Sequence, residues 1–246
     1  MHGSFRKMIK ETIHESQKCQ RNWDLTKQIP EEDKKIILEA ATNSPSKQNL
    51  NYFKLHVIED RKKIEKIHKN TKGFGPIYKN FDSNKTPKSL EGTGKSHYQT
   101  GENERGFGPA ISQADWYTNS QVLGQMLLAY TKHEPTQIRE EQEFRYRMER
   151  TMAFDDAYSE DRAMAIGISA GYVNIVATQL GYSTGCCKCM DTEEITEILN
   201  GEFPILLMGI GIADKTRDRR EHHENPDFVF PSLKSLKQIE VESHIN

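Results

Sequence analysis

The chain has 246 residues, 35% of them hydrophobic and 28% charged, and 34 Lys and Arg against 36 Asp and Glu leave a formal charge of -2. That length supports one large domain with its own core, and the near balance of charge excludes a global field for nucleic acid or an anionic membrane. No stretch approaches the ~20 apolar residues of a bilayer span, and residues 1–10 lack the apolar region of a signal peptide, so a cytoplasmic location is expected.

Phe5, Met8, Ile9 and Ile13 recur at helical spacing and predict an N-terminal amphipathic helix. Ile29-Pro30-Glu31-Glu32-Asp33 opens a second helix. Proline suits a first turn there, and the acids lie near the positive end of the dipole. This helix runs through Ile36, Ile37, Ala40 and Ala41 and must stop before Pro45, because the residue preceding a proline avoids the α region. In residues 52–58, Phe53, Leu55 and Val57 alternate with polar side chains, which predicts a strand. Ile64 and Ile67 suit a short helix after it.

Between residues 71 and 109 fall seven of the chain's 16 glycines, with prolines, lysines and asparagines. This composition reads as a polar insertion, about 72–120, within a single domain spanning 1–246. Residues 121–130 form an apolar run that is expected to be a buried strand. The charged stretch at about 137–160 suits a solvated helix. Ala163, Ile166, Gly167, Ala170, Val173, Asn174, Ala177 and Leu180 then make a helical seam whose small residues allow close approach. Gly181 is placed to end it. Residues 203–212 read as a fully buried strand. The pattern is α+β, with one central, mostly antiparallel sheet flanked by helices.

Four segments carry candidate chemistry. Lys18 and Arg21 place two cations within one turn around Cys19, suited to a phosphate; a basic helix terminus would look the same. Pro45, Ser46, Lys47 and Asn49 form a polar turn between helix and strand. Cys186, Cys187 and Cys189 crowd too closely to wrap one metal ion. A dithiol of Cys186 and Cys189 has C-x-x-C spacing, but it follows a helix instead of opening one, and small buried thiols are the commoner meaning. Past the last strand stand Lys215, Arg217, Arg219 and Arg220, which could close over a phosphate or form a solvated tail.

In order and spacing these segments resemble the FMN-dependent nitroreductase family over most of the chain, apart from residues 72–120 and 137–160. Gln17-Lys18-Cys19-Gln20-Arg21-Asn22-Trp23 is similar to the family's opening Arg-Arg-Ser-x-Arg-x-Phe motif. Pro45-Ser46-Lys47-Gln48-Asn49 is similar to its Pro-Ser-x-x-Asn motif. Gln17 stands where arginine is frequent, Cys19 where serine is, and Cys189 where glycine is common.

The resemblance implies an intertwined homodimer with FMN between the subunits. Lys18, Cys19, Arg21 and one or more of Arg217, Arg219 and Arg220 would hold the FMN phosphate. Pro45, Ser46, Lys47 and Asn49 would line the ribityl chain and pyrimidine edge. The backbone of Cys187-Lys188-Cys189 would approach flavin N5. Lys79-Asn80 or Asn84-Lys85 would face N1 and O2, and the insertion would act as a lid. NADH or NADPH would give hydride to flavin N5, and an electron-poor small-molecule acceptor such as a nitroaromatic or quinone would take it, in ping-pong fashion and with no catalytic side chain or metal. Alternatives are a flavin-binding protein with little turnover, a reductive dehalogenase or flavin-modifying enzyme on the same scaffold, and a thiol redox protein. No nucleic acid or membrane partner is expected.

Overall fold

A computed structural model describes residues 2–71, 118–135, 158–221, 223 and 242. Residues 72–117, most of the insertion expected at about 72–120 and holding Lys79, Asn80, Asn84 and Lys85, lie outside the described residues. So do residues 137–157 of the charged stretch expected at about 137–160, whose last two residues already belong to the helix that starts at Ser159.

Helix α1 (His2–Ser16) is followed by α2 (Glu31–Thr42), β1 (Phe53–Ile58) and α3 (Arg61–Lys69). After the insertion come β2 (Met126–Lys132), α4 (Ser159–Gln179), β3 (Ser183–Cys187), α5 (Thr192–Ile198) and β4 (Pro204–Gly211). The four strands form one sheet in the order β1-β2-β4-β3, and every neighbouring pair is antiparallel. The apolar strands β2 and β4 are central, leaving β1 and β3 as edges. Among the described residues no helix is long and apolar enough to cross a membrane.

Two cores sandwich the sheet. On one face Ile37 and Ala41 of α2 and Ile166, Ala170, Val173 and Ala177 of α4 pack on Met126, Leu128, Tyr130, Met208 and Ile210. On the other, Ile64 and Ile67 of α3 and Ile195 and Ile198 of α5 pack with Trp23, Val122, Leu127, Cys187 and Leu207. Burying each such aliphatic side chain stabilises the fold by about 1.5–3 kcal/mol. The predicted seam of α4 is therefore split. Ile166, Ala170, Val173 and Ala177 are buried, while Ala163 and Gly167 face outward. Gly181 ends α4 in the left-handed region, at φ 89, with Tyr182 N–H returning to the Ala177 carbonyl at 2.8 Å.

Three local expectations are corrected. Residues 121–130 are not all strand: Ser120–Val122 is a 3-10 turn, and β2 begins at Met126. Asn119 and Ser120, assigned to the insertion, are buried parts of the body. In β1 the alternation fails at Val57, which is 42% exposed, while Ile58 is 5% exposed. Phe53 and Leu55 pack on the α2–α4 face, and Ile58 joins the α3–α5 core instead. Strand β3 and helix α5 carry no clear apolar period and were not anticipated.

Glu202 ties the β4 entry to the β1 edge. It accepts hydrogen bonds from Thr131 Oγ1 at 3.0 Å and Lys54 Nζ, and His56 Nε2 lies at 2.9 Å. The Lys54 ammonium, helped by His56 and Thr131, holds the Glu202 carboxyl at about 2, well below the usual 4.5. A carboxyl depressed on folding adds stability that is full above the unfolded value and is lost as pH falls toward the folded one. Urea midpoints of wild type and Glu202→Gln should therefore differ most near neutral pH. The gap should narrow as pH drops from about 4.5 towards 2; a gap independent of pH would count against this ion cluster.

Candidate functional site

Residues 18–24 leave α1 and cross the end of the sheet. Gln20 N–H donates to the Thr184 carbonyl of β3 at 2.8 Å, Asp24 N–H to Ile212 at 2.8 Å, and Asp214 N–H to Asn22 at 3.1 Å. Trp23, 3% exposed, bridges to Ala213, and its indole N–H donates to the Ser120 carbonyl at 2.8 Å. These main-chain bonds lay the N-terminal motif beside the segment that follows β4. Asn174 of α4 fixes the same corner, donating to the Ser16 carbonyl at 2.7 Å and pairing with Thr184 Oγ1 at 2.6 Å.

Beside β3 this corner leaves a hollow of about 220 Å³. Lys18, Lys215, Arg219, Gln20, Ser183 and Thr184 are among its lining residues. Arg219 Nη1 reaches back to the Cys19 carbonyl at 3.2 Å. Arg21 stands close by. Burial lowers its pKa, and the neighbouring Arg219 and Arg220 lower it further. A guanidinium remains charged regardless, and with Arg220 paired to Asp218 it is Arg21 and Arg219 that gather like charge at one place. An anion would relieve that repulsion, and hydroxyls and amides stand ready around it. A phosphate group fits both the charge and the donor set.

The predicted cations do not behave alike. Lys18 and Arg219 line the hollow, where Lys18 pairs with Glu15, another lining residue, at 2.5 Å. Cys19 meets Arg219 through its carbonyl, with Arg21 near both. Arg217 turns to Glu221 at 2.8 Å and the His223 carbonyl at 3.1 Å, and Arg220 turns to Asp218 at 3.3 Å. Lys215 joins the lining; it had been seen only as part of a charge run.

Strand β3 leads from the hollow toward Cys187, Lys188 and Cys189. Cys187 is buried, and its sulfur accepts from Asn119 Nδ2 at 3.2 Å. Burial pushes its thiol up to about 12, so it stays protonated at neutral pH and is no nucleophile. Cys186 is exposed, Cys189 is half-buried, and all four cysteines are free. Above this stretch sits a polar segment that the sequence did not flag. Asn119 Nδ2 donates to Gln121 Oε1 at 2.7 Å, and Gln121 N–H returns to Asn119 Oδ1 at 3.1 Å. Gly185 and Gly209, paired in register, form its floor. A Cβ on Gly209 would lie 2.1 Å from the Gln121 carbonyl oxygen.

The remaining predicted group lies elsewhere. Pro45, Lys47 and Asn49 are exposed, and Ser46 Oγ caps the Leu50 carbonyl at 2.7 Å. Gln48 and Asn49 hold φ of 57 and 56, in the left-handed region that amide side chains tolerate. Lys47 pairs with Asp161 at 2.8 Å, in the first turn of α4. The hollow adjoins Thr178, near the far end of that helix. At 1.5 Å per residue the two groups stand roughly 25 Å apart along α4. One chain thus unites Lys18, Cys19, Arg21 and Arg219 and holds residues 45–49 away from them.

The protein is thus an α+β fold, an antiparallel four-stranded sheet between two helical layers with a cation-lined hollow at its β3 edge. The chain belongs to the nitroreductase family, whose sequence profile matches residues 15–212; it is a family of oxidoreductase enzymes. Solved structures share the fold at low identity. A protein assigned as a nitroreductase, from Exiguobacterium sibiricum 255-15 and in complex with FMN, is 16% identical, with TM-score 0.55 over 92% of each chain. A nitroreductase family protein of Streptococcus pneumoniae TIGR4 is 14% identical, with TM-score 0.52 over 96% of this chain and 100% of that one. One assigned as an NAD(P)H:FMN oxidoreductase, from Staphylococcus epidermidis ATCC 12228, is 16% identical, with TM-score 0.50 over 94% and 95%. No match emerges among curated proteins.

Proposed function

We propose that this protein is an FMN-dependent oxidoreductase that passes hydride from NADH or NADPH to an electron-poor small molecule, such as a nitroaromatic or quinone. The observation that carries the proposal is the meeting of Lys18, Lys215 and Arg219 at one hollow, with Arg21 near Arg219, supported by family membership. The flavin phosphate lies in the hollow, held by Lys18, Lys215 and Arg219, with Arg21 and Cys19 beside it. The rest of the cofactor follows the open edge of β3 toward Cys187, Lys188 and Cys189. When bound, the flavin supplies the hydride chemistry at N5, receiving from the nicotinamide and giving to the acceptor in turn. The chain positions it, neutralises its phosphate and keeps water from one face. The protonated, buried Cys187 contributes packing and no redox chemistry.

The 45–49 group completes the site from a second copy. Met164, Ile168, Tyr172 and Ile175 line one exposed stripe of α4, beside Gly167 and Gly171, whose missing side chains would meet nothing within 4 Å. Phe5, Met8, Ile9 and Ile13 of α1 are exposed too. So much apolar surface suits a subunit interface. A twofold, antiparallel pairing of α4 helices sets the Lys47 end of one copy against the hollow of the other. Changing Ile168 and Ile175 together to glutamate should convert a dimer into monomers in sedimentation and release FMN. A wild type that is monomeric yet saturated with FMN would sink this arrangement.

Turnover is tested by anaerobic mixing of the FMN-loaded protein with NADPH or NADH. The yellow colour should bleach, and a quinone or nitroaromatic should restore it. Failure of both donors to bleach bound flavin would leave a flavin-binding protein in place of an enzyme.

A further inference from the structure

The side chain of Asn22 is completely buried and lies against the loop that carries the C-terminal cations. Its Nδ2 donates to the Asp218 carbonyl at 2.7 Å and to the Glu221 carbonyl at 2.8 Å. Those carbonyls are the two ends of one turn, since Glu221 N–H bonds back to Asp218 O at 3.0 Å. Arg219 and Arg220 are the central residues of that turn. The main-chain carbonyl of Asn22 accepts from Asp214 N–H at 3.1 Å, at the root of the same loop. One residue therefore grips the loop at its root and at both ends of its tip.

Its neighbours in sequence complete the geometry. Arg21 lies close enough to Arg219 and Arg220 to feel their charge, and Trp23 anchors the motif to Ser120. Asn22 Oδ1 meets no hydrogen-bond donor among the described residues. An apolar side chain of the same size would leave the Asp218 and Glu221 carbonyls without this donor. The carboxamide therefore acts through its donor end, on the turn.

We propose that Asn22 is a positioning residue for the anion site, fixing Arg219 and Arg220 against Arg21 and so setting the preference for phosphorylated over unphosphorylated flavin. This inference rests on the flavin site proposed above. Three neighbouring guanidiniums repel one another, and a turn free at its ends would let two of them splay apart. Phosphate binding would then have to order the turn as well as fill it; a turn already pinned avoids that cost.

The test titrates FMN and riboflavin into wild type, Asn22→Ala and Asn22→Ser, each with and without Arg219→Gln, following the quenching of flavin fluorescence. Asn22→Ala should weaken FMN about tenfold and leave riboflavin nearly unchanged, and its effect should largely vanish once Arg219 is glutamine, as for residues acting through one network. Should Asn22→Ala fail to fold, Asn22→Ser, which keeps a short donor, decides by the same ratio. Equal weakening of both flavins, an unchanged FMN preference, or full additivity with Arg219→Gln would overturn the role of Asn22 and leave the flavin site standing. A wild type that binds neither flavin would overturn both.

Discussion

Changing Arg21 and Arg219 together to glutamine is expected to cost the protein its FMN. A charge-assisted hydrogen bond contributes about 1.5–3 kcal/mol, so losing two such partners should weaken binding by about two to four orders of magnitude. Riboflavin should be affected far less, because it lacks the phosphate these residues meet. Equilibrium titration of the double variant with both flavins checks the expectation. Wild-type affinity for FMN in that variant would place the phosphate elsewhere.

The second large effect lies beneath the site. Gly209→Ala is expected to destabilise the fold strongly, since its Cβ would lie 2.1 Å from the Gln121 carbonyl oxygen and 3.1 Å from its carbon. That oxygen is backbone, held between the Asn119 network and β4, and no side-chain rotation can clear it. Overpacking of this kind costs about 1–3 kcal/mol, occasionally more, and the rigid partner argues for the upper end. For a chain of this length, a loss of about 3 kcal/mol is a fall of about 6–12 °C in Tm. Thermal unfolding checks it. A fall of only a degree or two would mean that the 119–122 segment is not clamped on the sheet.

The helices were legible in the sequence where their periodicity was strong. Phe5 to Ile13, Ile36 to Ala41 and Ile166 to Ala177 each repeat at 3.6 residues, and Gly181 marks an ending that needs positive φ. Strand β4 declared itself as an unbroken apolar run. Strand β3 did not, because Ser-Thr-Gly-Cys-Cys is an edge strand whose central glycine serves a close contact with Gln20 and Gln121. The run at 121–130 misled because period alone cannot separate a buried turn from a buried strand. What folds residues 120–122 into a turn is the glycine floor beneath them, a long-range contact.

Within the site, the charges were legible and their roles were not. Lys18, Arg21 and the C-terminal arginines stand out in the sequence, and the fold brings Lys18, Arg21 and Arg219 to one corner. Which arginine faces the hollow depends on local ion pairs: Glu221 takes Arg217 and Asp218 takes Arg220, leaving Arg219 to turn inward. Lys215 lay in the same charge run with nothing to separate it. Asn22 looked like a spacer between two notable residues, and its importance lies in carbonyls 196 and 199 positions further along the chain. The roughly 25 Å that parts residues 45–49 from the hollow follows from the length of α4 and could be seen only once Lys47 was found paired with Asp161.

The most direct test of the central claim is the visible absorption spectrum of the native protein, purified and then saturated with FMN and desalted. The account predicts the absorption bands of oxidised flavin, persisting through desalting at one FMN per chain. A colourless protein that takes up no FMN would contradict it.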